Sequence, residues 1–265
     1  VFAEMGSVNQ VFVLPGAMRE RGASIAEGLH ASVTLGVGQF CTNPGLVVVQ
    51  ASETLASFLA RLADLFSSTP PGTMLTSTIW ADYNKNLETL KHTAGVRELA
   101  AGTPSAEPNR ARAVVLATDA ATFLREPSLG LEVFGPSTLV IECANRDHML
   151  AVAHSLEGQL TTTIHASESE MDAARDLLGI LETKAGRLLA NGFPTGVEVC
   201  HAMVHGGPYP ACADARSTSV GARSLQRFAR LVCFQNWPDR TLPDELKQSN
   251  PLGLWRIVDG VFGRH

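Results

Sequence analysis

The chain is poor in aromatic residues, in charge and in long apolar runs. Phe, Trp and Tyr make up only 6% of its 265 residues, and charged residues 18%. No apolar stretch approaches the roughly 18–20 residues of a membrane span, and the first residues lack the basic and apolar regions of a secretory signal. No membrane partner is expected. Lys and Arg number 21 against 26 Asp and Glu, with no basic cluster, so no nucleic-acid partner is expected either. The five cysteines are scattered and include no C-x-x-C pair, which is poor material for a disulfide framework. The N-x-S/T glycosylation acceptor is also missing, and both features fit a reducing, cytoplasmic location. What is present is a 45% hydrophobic fraction, enough to bury a sizeable core in one large domain or two ordinary ones.

Helical and strand periods alternate along the chain, the pattern of an α/β domain with a largely parallel sheet flanked by helices. Leu46–Val49 reads as a buried strand. Leu55, Phe58, Leu59, Leu62, Leu65 and Phe66 then mark one face of a helix. A second helix is expected from Ile79 to Lys91, and further strands at 113–117, 139–141 and 159–165. Asn145 is placed to N-cap a helix, and Ser167-x-x-Glu170 has the form of a capping box. Beyond Asn191-Gly192 the chain turns loop-rich, with an isolated apolar strand expected at Leu231–Phe234 and a polar, Pro-punctuated tail after it. Such a tail has little core of its own, so it is expected to dock on other parts of the protein or on another subunit.

Three stretches carry chemistry. Gly36-Val37-Gly38-Gln39-Phe40-Cys41-Thr42 sets a thiol among glycines, an amide and a hydroxyl just before a strand. That setting suits a nucleophile, though most free cysteines are simply buried. Glu4, in Phe2-Ala3-Glu4-Met5-Gly6-Ser7, is either a general base at a strand end or an ordinary exposed carboxylate. In Glu132-Val133-Phe134-Gly135-Pro136 the Gly-Pro step fixes a turn from which Glu132 and Phe134 could face a ligand. The bland alternative is a hairpin turn with no ligand. Glu198, Cys200, His201, His205 and Cys212 look like metal ligands in sequence, but they lack the H-E-x-x-H pattern, so no metal site is assigned. A Cys–His pair of Cys41 with His30 or His165 is conceivable, without support from spacing.

Taken in order, Glu4-Met5-Gly6, Gly38-Gln39-Phe40-Cys41-Thr42 and Glu132-Val133-Phe134-Gly135-Pro136 resemble the aldehyde dehydrogenase superfamily: general-base motif, catalytic-cysteine motif, then the E-x-F-G-P cofactor motif. Gly196-Val197-Glu198-Val199, His205-Gly206-Gly207-Pro208-Tyr209-Pro210, Ser219-Val220-Gly221 and the stretch from Asn250 to Arg256 are similar to the group within it that oxidises 2,5-dioxopentanoate (α-ketoglutarate semialdehyde). Ser7 stands where the family usually has a second Gly, and Gln10 where Pro is common.

The resemblance implies an aldehyde-dehydrogenase-type catalytic domain at 7–211. Residues 1–6 would end a preceding dinucleotide-binding half, and 212–265 would form a C-terminal oligomerisation strand and return tail. Such enzymes are about twice this length. The preceding half, expected to be absent here, carries the glycine-rich cofactor turn, a lysine near the adenosine ribose and an oxyanion-binding Asn. By the same resemblance Cys41 is the nucleophile and Glu4 activates the hydrolytic water. Glu132 and Phe134 would hold the nicotinamide riboside of NAD or NADP. A small aldehyde is the expected substrate, and a homo-oligomer, dimer or tetramer, the expected assembly. Two other readings stay open: a non-catalytic scaffold, and a cysteine hydrolase working without a dinucleotide.

Overall fold

A computed structural model describes residues 1–265, and the chain divides into two units, Val1–Arg227 and Phe228–His265. The first unit begins with strand β1 (Val11–Val13) and helix α1 (Pro15–Thr34), followed by β2 (Leu46–Gln50) and α2 (Leu55–Ser67). Next come β3 (Gly72–Thr73), α3 (Ser77–Lys91), β4 (Arg97–Ala101), β5 (Arg110–Ala111), β6 (Val114–Asp119) and α4 (Ala120–Arg125). The succession closes with β7 (Ser137–Cys143), α5 (Arg146–Ser155), β8 (Gln159–His165), α6 (Glu168–Ala173), α7 (Arg175–Leu181) and β9 (Ala185–Ala190).

Seven strands form one sheet in the order β4-β6-β7-β2-β1-β8-β9, parallel throughout except for the antiparallel edge strand β4. Alternate residues of the strands feed two cores. Phe12, Val48, Leu116 and Ile141 face Met149 of α5 and Leu177 of α7. Val11, Val13, Val47, Val49, Val115 and Val140 face α1 and α2 on the other side. With helices on both faces, the central strands become the continuous apolar runs that the sequence shows. Phe58, Leu62 and Phe66, one turn apart along α2, are its buried side chains.

Most expected elements form near their expected limits. Thr76 caps α3 by accepting from the Ile79 N–H, so that helix starts at Ser77, before Ile79. Asn145 caps α5, and Ser167 with Glu170 makes the reciprocal capping box of α6. Strand β1 and helix α1 escape the periodicity reading. A three-residue strand is too short to show a period, and half of the buried face of α1 is Gly, Ala and Ser, which thins the apolar stripe left by Met18, Ile25, Leu29 and Val33.

Glu170 has a second role. Its carboxylate accepts from the backbone N–H groups of Gly16 and Ala17, at the start of α1, and from that of Ser167. A carboxylate from one helix thus satisfies orphan donors at the N-terminus of another. Burial pushes the Glu170 carboxyl up, but the Ser167, Gly16 and Ala17 N–H bonds outweigh it and hold the group below its ordinary 4.5. A depressed acid contributes stability that is fully present above the unfolded value and lost as pH falls through the folded one. Glu170→Ala is expected to cost about 1–2 kcal/mol at neutral pH. The loss should vanish in strong acid, where the wild-type carboxyl is also neutral. Urea unfolding at two pH values checks this, and an equal loss at both would contradict the capping role.

The first compact unit runs to Arg227 and includes residues on both sides of the boundary expected at 211. Residues just beyond that limit are tied back to it: Ala213 N–H donates to the Ala3 carbonyl, and Ser219 N–H to that of His205. Leu231–Phe234, expected as a strand, belongs to no strand in this chain, because no other segment pairs with it and Leu231 is 99% exposed. The second unit holds a short 3-10 turn (Asp239–Thr241) and a hairpin of β10 (Arg256–Val258) and β11 (Val261–Gly263), turned at Asp259-Gly260 with both residues at positive φ.

Candidate active site

The segments carrying Glu4, Cys41 and Glu132 each lead into a strand: β1, β2 and β7 respectively. These strands are parallel neighbours, so the three segments converge at the amino-terminal edge of the sheet although they span well over a hundred residues of sequence.

The cysteine loop is held by its own backbone and by the Glu132 segment. Gly36, Val37 and Gly38 all have positive φ, and a Cβ at Gly38 would stand 2.2 Å from the Gly135 backbone. The cysteine loop therefore rests directly on the Gly135-Pro136 turn, and only glycine fits there. The Asn43 amide also donates to the Gly135 carbonyl at 3.0 Å. Val37 is β-branched and left-handed, a strained combination costing about 1–3 kcal/mol that the surrounding packing must hold.

Asn9, fully buried at φ +46°, joins the Glu4 segment to the cysteine loop. Its amide nitrogen donates to the carbonyls of Cys41 (2.9 Å), Asn43 (3.0 Å) and Ser7 (3.2 Å), and its amide oxygen accepts from Ser7 and Thr161. Glu4 itself is fixed by a short antiparallel bridge to Cys212, flanked by the Met5 N–H to Ala211 carbonyl bond.

His205 completes the cluster. Its Nε2 lies 3.3 Å from Cys41 Sγ and 3.1 Å from Glu4 Oε2, and the ring is buried while Cys41 is exposed. The His205 backbone is anchored on both sides: its N–H donates to Thr218 Oγ1, and its carbonyl accepts from the Ser219 N–H. Neither histidine considered from the sequence fills this place. His30 bonds Thr69 Oγ1, and His165 is buried against Phe193, 4.8 Å between ring centroids. Of the residues resembling metal ligands, His205 alone joins the cluster. The available signal was the Gly206-Gly207 step after it: a Cβ at Gly207 would stand 2.0 Å from the Gln159 carbonyl oxygen, so the glycine lets the loop press onto β8.

The charges are coupled. Hydrogen bonds to Cys41 and then to Glu4 raise His205 to about 9, against burial, which acts the other way. Reciprocally, the His205 bond holds the Glu4 carboxyl below its ordinary range, outweighing its partial burial. The stability contributed by a raised imidazole is fully present below its unfolded value near 6.5 and is lost as pH rises through 9. In an NMR titration the His205 ring is expected to titrate near 9, and in Cys41→Ala to move down toward 6.5. An unmoved midpoint would show that the thiol does not hold the proton.

Glu132 behaves in the opposite way. Burial lifts its carboxyl to about 7, the Ser7 N–H pulls it down, and the Glu4 charge adds to the rise. A desolvated carboxyl with a backbone N–H partner keeps acceptor capacity for further donors, which fits hydroxyls of a sugar. Space for it depends on Gly6, where a Cβ would stand 3.1 Å from Glu132 Oε2. Phe134 lines the same cleft as Glu132, Ser7 and Val8, and is not part of the Cys41–His205–Glu4 cluster.

Comparison with known proteins adds a family. The sequence profile of the aldehyde dehydrogenase family matches residues 1–208. The chain is 46% identical over 260 residues to alpha-ketoglutaric semialdehyde dehydrogenase 2 of Azospirillum brasilense, covering 98% of this chain and 50% of the relative. Against alpha-ketoglutaric semialdehyde dehydrogenase of Acinetobacter baylyi the identity is 43% over 262 residues, with the same coverage, 98% and 50%. The chain thus spans about half the length of these relatives. In fold it is similar to aldehyde dehydrogenase from Bacillus cereus (TM-score 0.69, 16% identity, covering 86% of this chain and 45% of that one). It is likewise similar to gamma-glutamyl-gamma-aminobutyraldehyde dehydrogenase from Burkholderia cenocepacia (TM-score 0.70, 17% identity, covering 85% and 45%).

Proposed function

The chain belongs to the aldehyde dehydrogenase family, and from that premise we propose that it forms the catalytic part of an NAD(P)-dependent enzyme oxidising an aldehyde to a carboxylate. The observation that carries this is the convergence of Cys41, His205 and Glu4, whose donor atoms lie within 4.8 Å of one another. We assign 2,5-dioxopentanoate as the substrate on the names of the two relatives at 43% and 46% identity.

In this reading Cys41 Sγ attacks the aldehyde carbon to give a thiohemiacetal, and the Cys41 backbone N–H steadies the oxyanion; such a donor is typically worth ~3–4 kcal/mol. His205, cationic near neutrality, presents its Nε2–H to the sulfur and to Glu4, steadying whichever is the anion. Glu132 would hold the ribose hydroxyls of the dinucleotide, with Phe134 packing beside its ring. When bound, that cofactor supplies the hydride acceptor. Glu4 then takes a proton from the water that hydrolyses the Cys41 thioester. Beside Glu4, a cavity of about 80 Å³ bordered by His205, Cys212, Ser217 and Arg227 has room for about two waters at ~30 Å³ each.

Five free cysteines support a reducing, cytoplasmic setting. We assign the exposed Leu231–Phe234 segment to strand pairing with a second copy, giving a dimer or tetramer. The test of function is NAD(P)H formation from 2,5-dioxopentanoate by the full-length protein. The 265-residue chain by itself is expected to form little or none. Its Cys–His contact supports a second activity, cofactor-free hydrolysis of activated esters through Cys41. Ester hydrolysis by the full-length protein with no NAD(P)H formation would replace the dehydrogenase reading.

A further inference from the structure

The donor set of the Cys41 cluster has the shape of a metal site as well as that of a catalytic one. Around a tetrahedral zinc, a thiolate at ~2.3 Å and an imidazole at ~2.0–2.1 Å stand about 3.5 Å apart, and that imidazole stands about 3.4 Å from a carboxylate oxygen. The corresponding separations here are 3.3 Å for Cys41 Sγ to His205 Nε2 and 3.1 Å for His205 Nε2 to Glu4 Oε2. All three donor atoms lie within 4.8 Å of one another. A thiolate and a carboxylate oxygen on that ion stand about 3.6 Å apart, so closing the third bond asks for a shift of at most about one ångström, within reach of side-chain rotation at Glu4.

We propose that Cys41, His205 and Glu4 bind Zn²⁺ reversibly as a three-protein-ligand site, and that the bound ion silences the nucleophile. Sulfur and imidazole nitrogen are soft and borderline donors, which select zinc or cadmium over magnesium and calcium. The ion takes the Cys41 sulfur as thiolate and His205 Nε2 as the neutral ring, releasing any proton held there to solvent. The Cys41 side is open, which leaves the fourth position to water. The His205 backbone, bonded to Thr218 and Ser219, holds the ring in place before the ion arrives. One feature limits affinity: His205 Nδ1 has no hydrogen-bond partner, and outer partners of ligating histidines are commonly worth about 10–100-fold in metal affinity. The site is thus suited to reversible capture rather than permanent residence.

Binding can be read on the 265-residue chain without any enzyme activity, so failure here is separate from failure of the dehydrogenase reading. The chain is alkylated with iodoacetamide with and without ZnCl₂, and each cysteine is followed by peptide mass spectrometry. Cys200 and Cys233, also exposed, serve as internal controls. Zinc is expected to slow Cys41 alkylation at least ~10-fold, EDTA to restore it, and MgCl₂ to leave it unchanged. His205→Ala and, separately, Glu4→Gln should each raise the zinc concentration needed by about 10-fold. A thiolate-to-metal charge-transfer band on Co²⁺ addition, absent in Cys41→Ala, gives a second readout should the His205 variant misfold. Unchanged Cys41 alkylation under zinc overturns the proposal. So does protection that survives in Glu4→Gln and His205→Ala alike, which would mean binding by the thiol alone.

Discussion

Replacing Cys41 with Ala in the full-length protein is expected to lower aldehyde oxidation by roughly 10⁶-fold, the scale seen when a covalent nucleophile is removed. No other thiol of the first unit is placed to substitute. Cys143 is buried in β7, and that burial pushes its thiol up to about 12. Cys212 is buried too, its backbone committed to the bridge with Glu4, and Cys200 lies in a separate loop and outside the cluster. The side chain of Ala at 41 is smaller than that of Cys, and the Asn9 and Phe40–Asn43 bonds that shape the loop run through the backbone. Thermal unfolding should therefore change little while turnover disappears. Retention of even a hundredth of wild-type kcat would remove Cys41 from the nucleophile role. A parallel loss of fold would move the residue to a structural one.

Glu4→Gln is expected to slow steady-state turnover by about 10²–10⁴-fold, the usual range for a positioned general base. The replacement keeps the shape of the side chain and removes its ability to take a proton. Acylation of Cys41 does not require Glu4 in this scheme, so the first turnover survives. Reduced cofactor should appear as a burst equal to the enzyme present, followed by a slow phase, and the thioester should be detectable on the Cys41 peptide. The same substitution removes the ion pair with His205, so the ring's midpoint should fall from about 9. That readout tells a lost charge from a merely displaced loop. Normal turnover without a burst would exclude Glu4 as the base and turn attention to Glu132, whose carboxyl at about 7 is better poised for proton uptake near neutrality.

A tension in the site bears on this second prediction. The His205 bond that lowers the Glu4 carboxyl keeps it ionised but makes it a weaker base. Base strength would return when the imidazole Nε2–H turns fully toward the sulfur, because one N–H cannot serve both acceptors well. The shared proton thus offers a physical means of alternating between a stabilised nucleophile and an active base.

The strands and helices of the sheet were legible wherever burial is regular. Leu46–Val49, Gln159–His165 and the Phe58–Leu62–Phe66 stripe each repeat one environment, so periodicity reports them. β1 is too short for the same signal, and in α1 the apolar stripe of Met18, Ile25, Leu29 and Val33 is diluted by Gly, Ala and Ser at the other buried positions. Leu231–Phe234 has the composition of a strand, but a strand exists only as a pair and this chain offers it no partner.

The sequence by itself determined the fold class and singled out Cys41, Glu4 and Glu132 as candidates, because each of the three sits in a short motif whose residue types a chemistry or a turn geometry demands. Only the tertiary structure decided which histidine stands beside Cys41, that Asn9 ties the Glu4 segment to the cysteine loop, and that Gly38 rests on Gly135. Those facts arise from parallel strands that align their amino ends and from a loop pressed onto β8 through glycines. A sequence records such contacts only as isolated small or polar residues far apart along the chain. The tertiary structure also set opposite charge behaviour for two similar carboxylates. Glu4 gains an imidazole partner and Glu132 loses solvent, and neither environment is written in the residues adjacent to them.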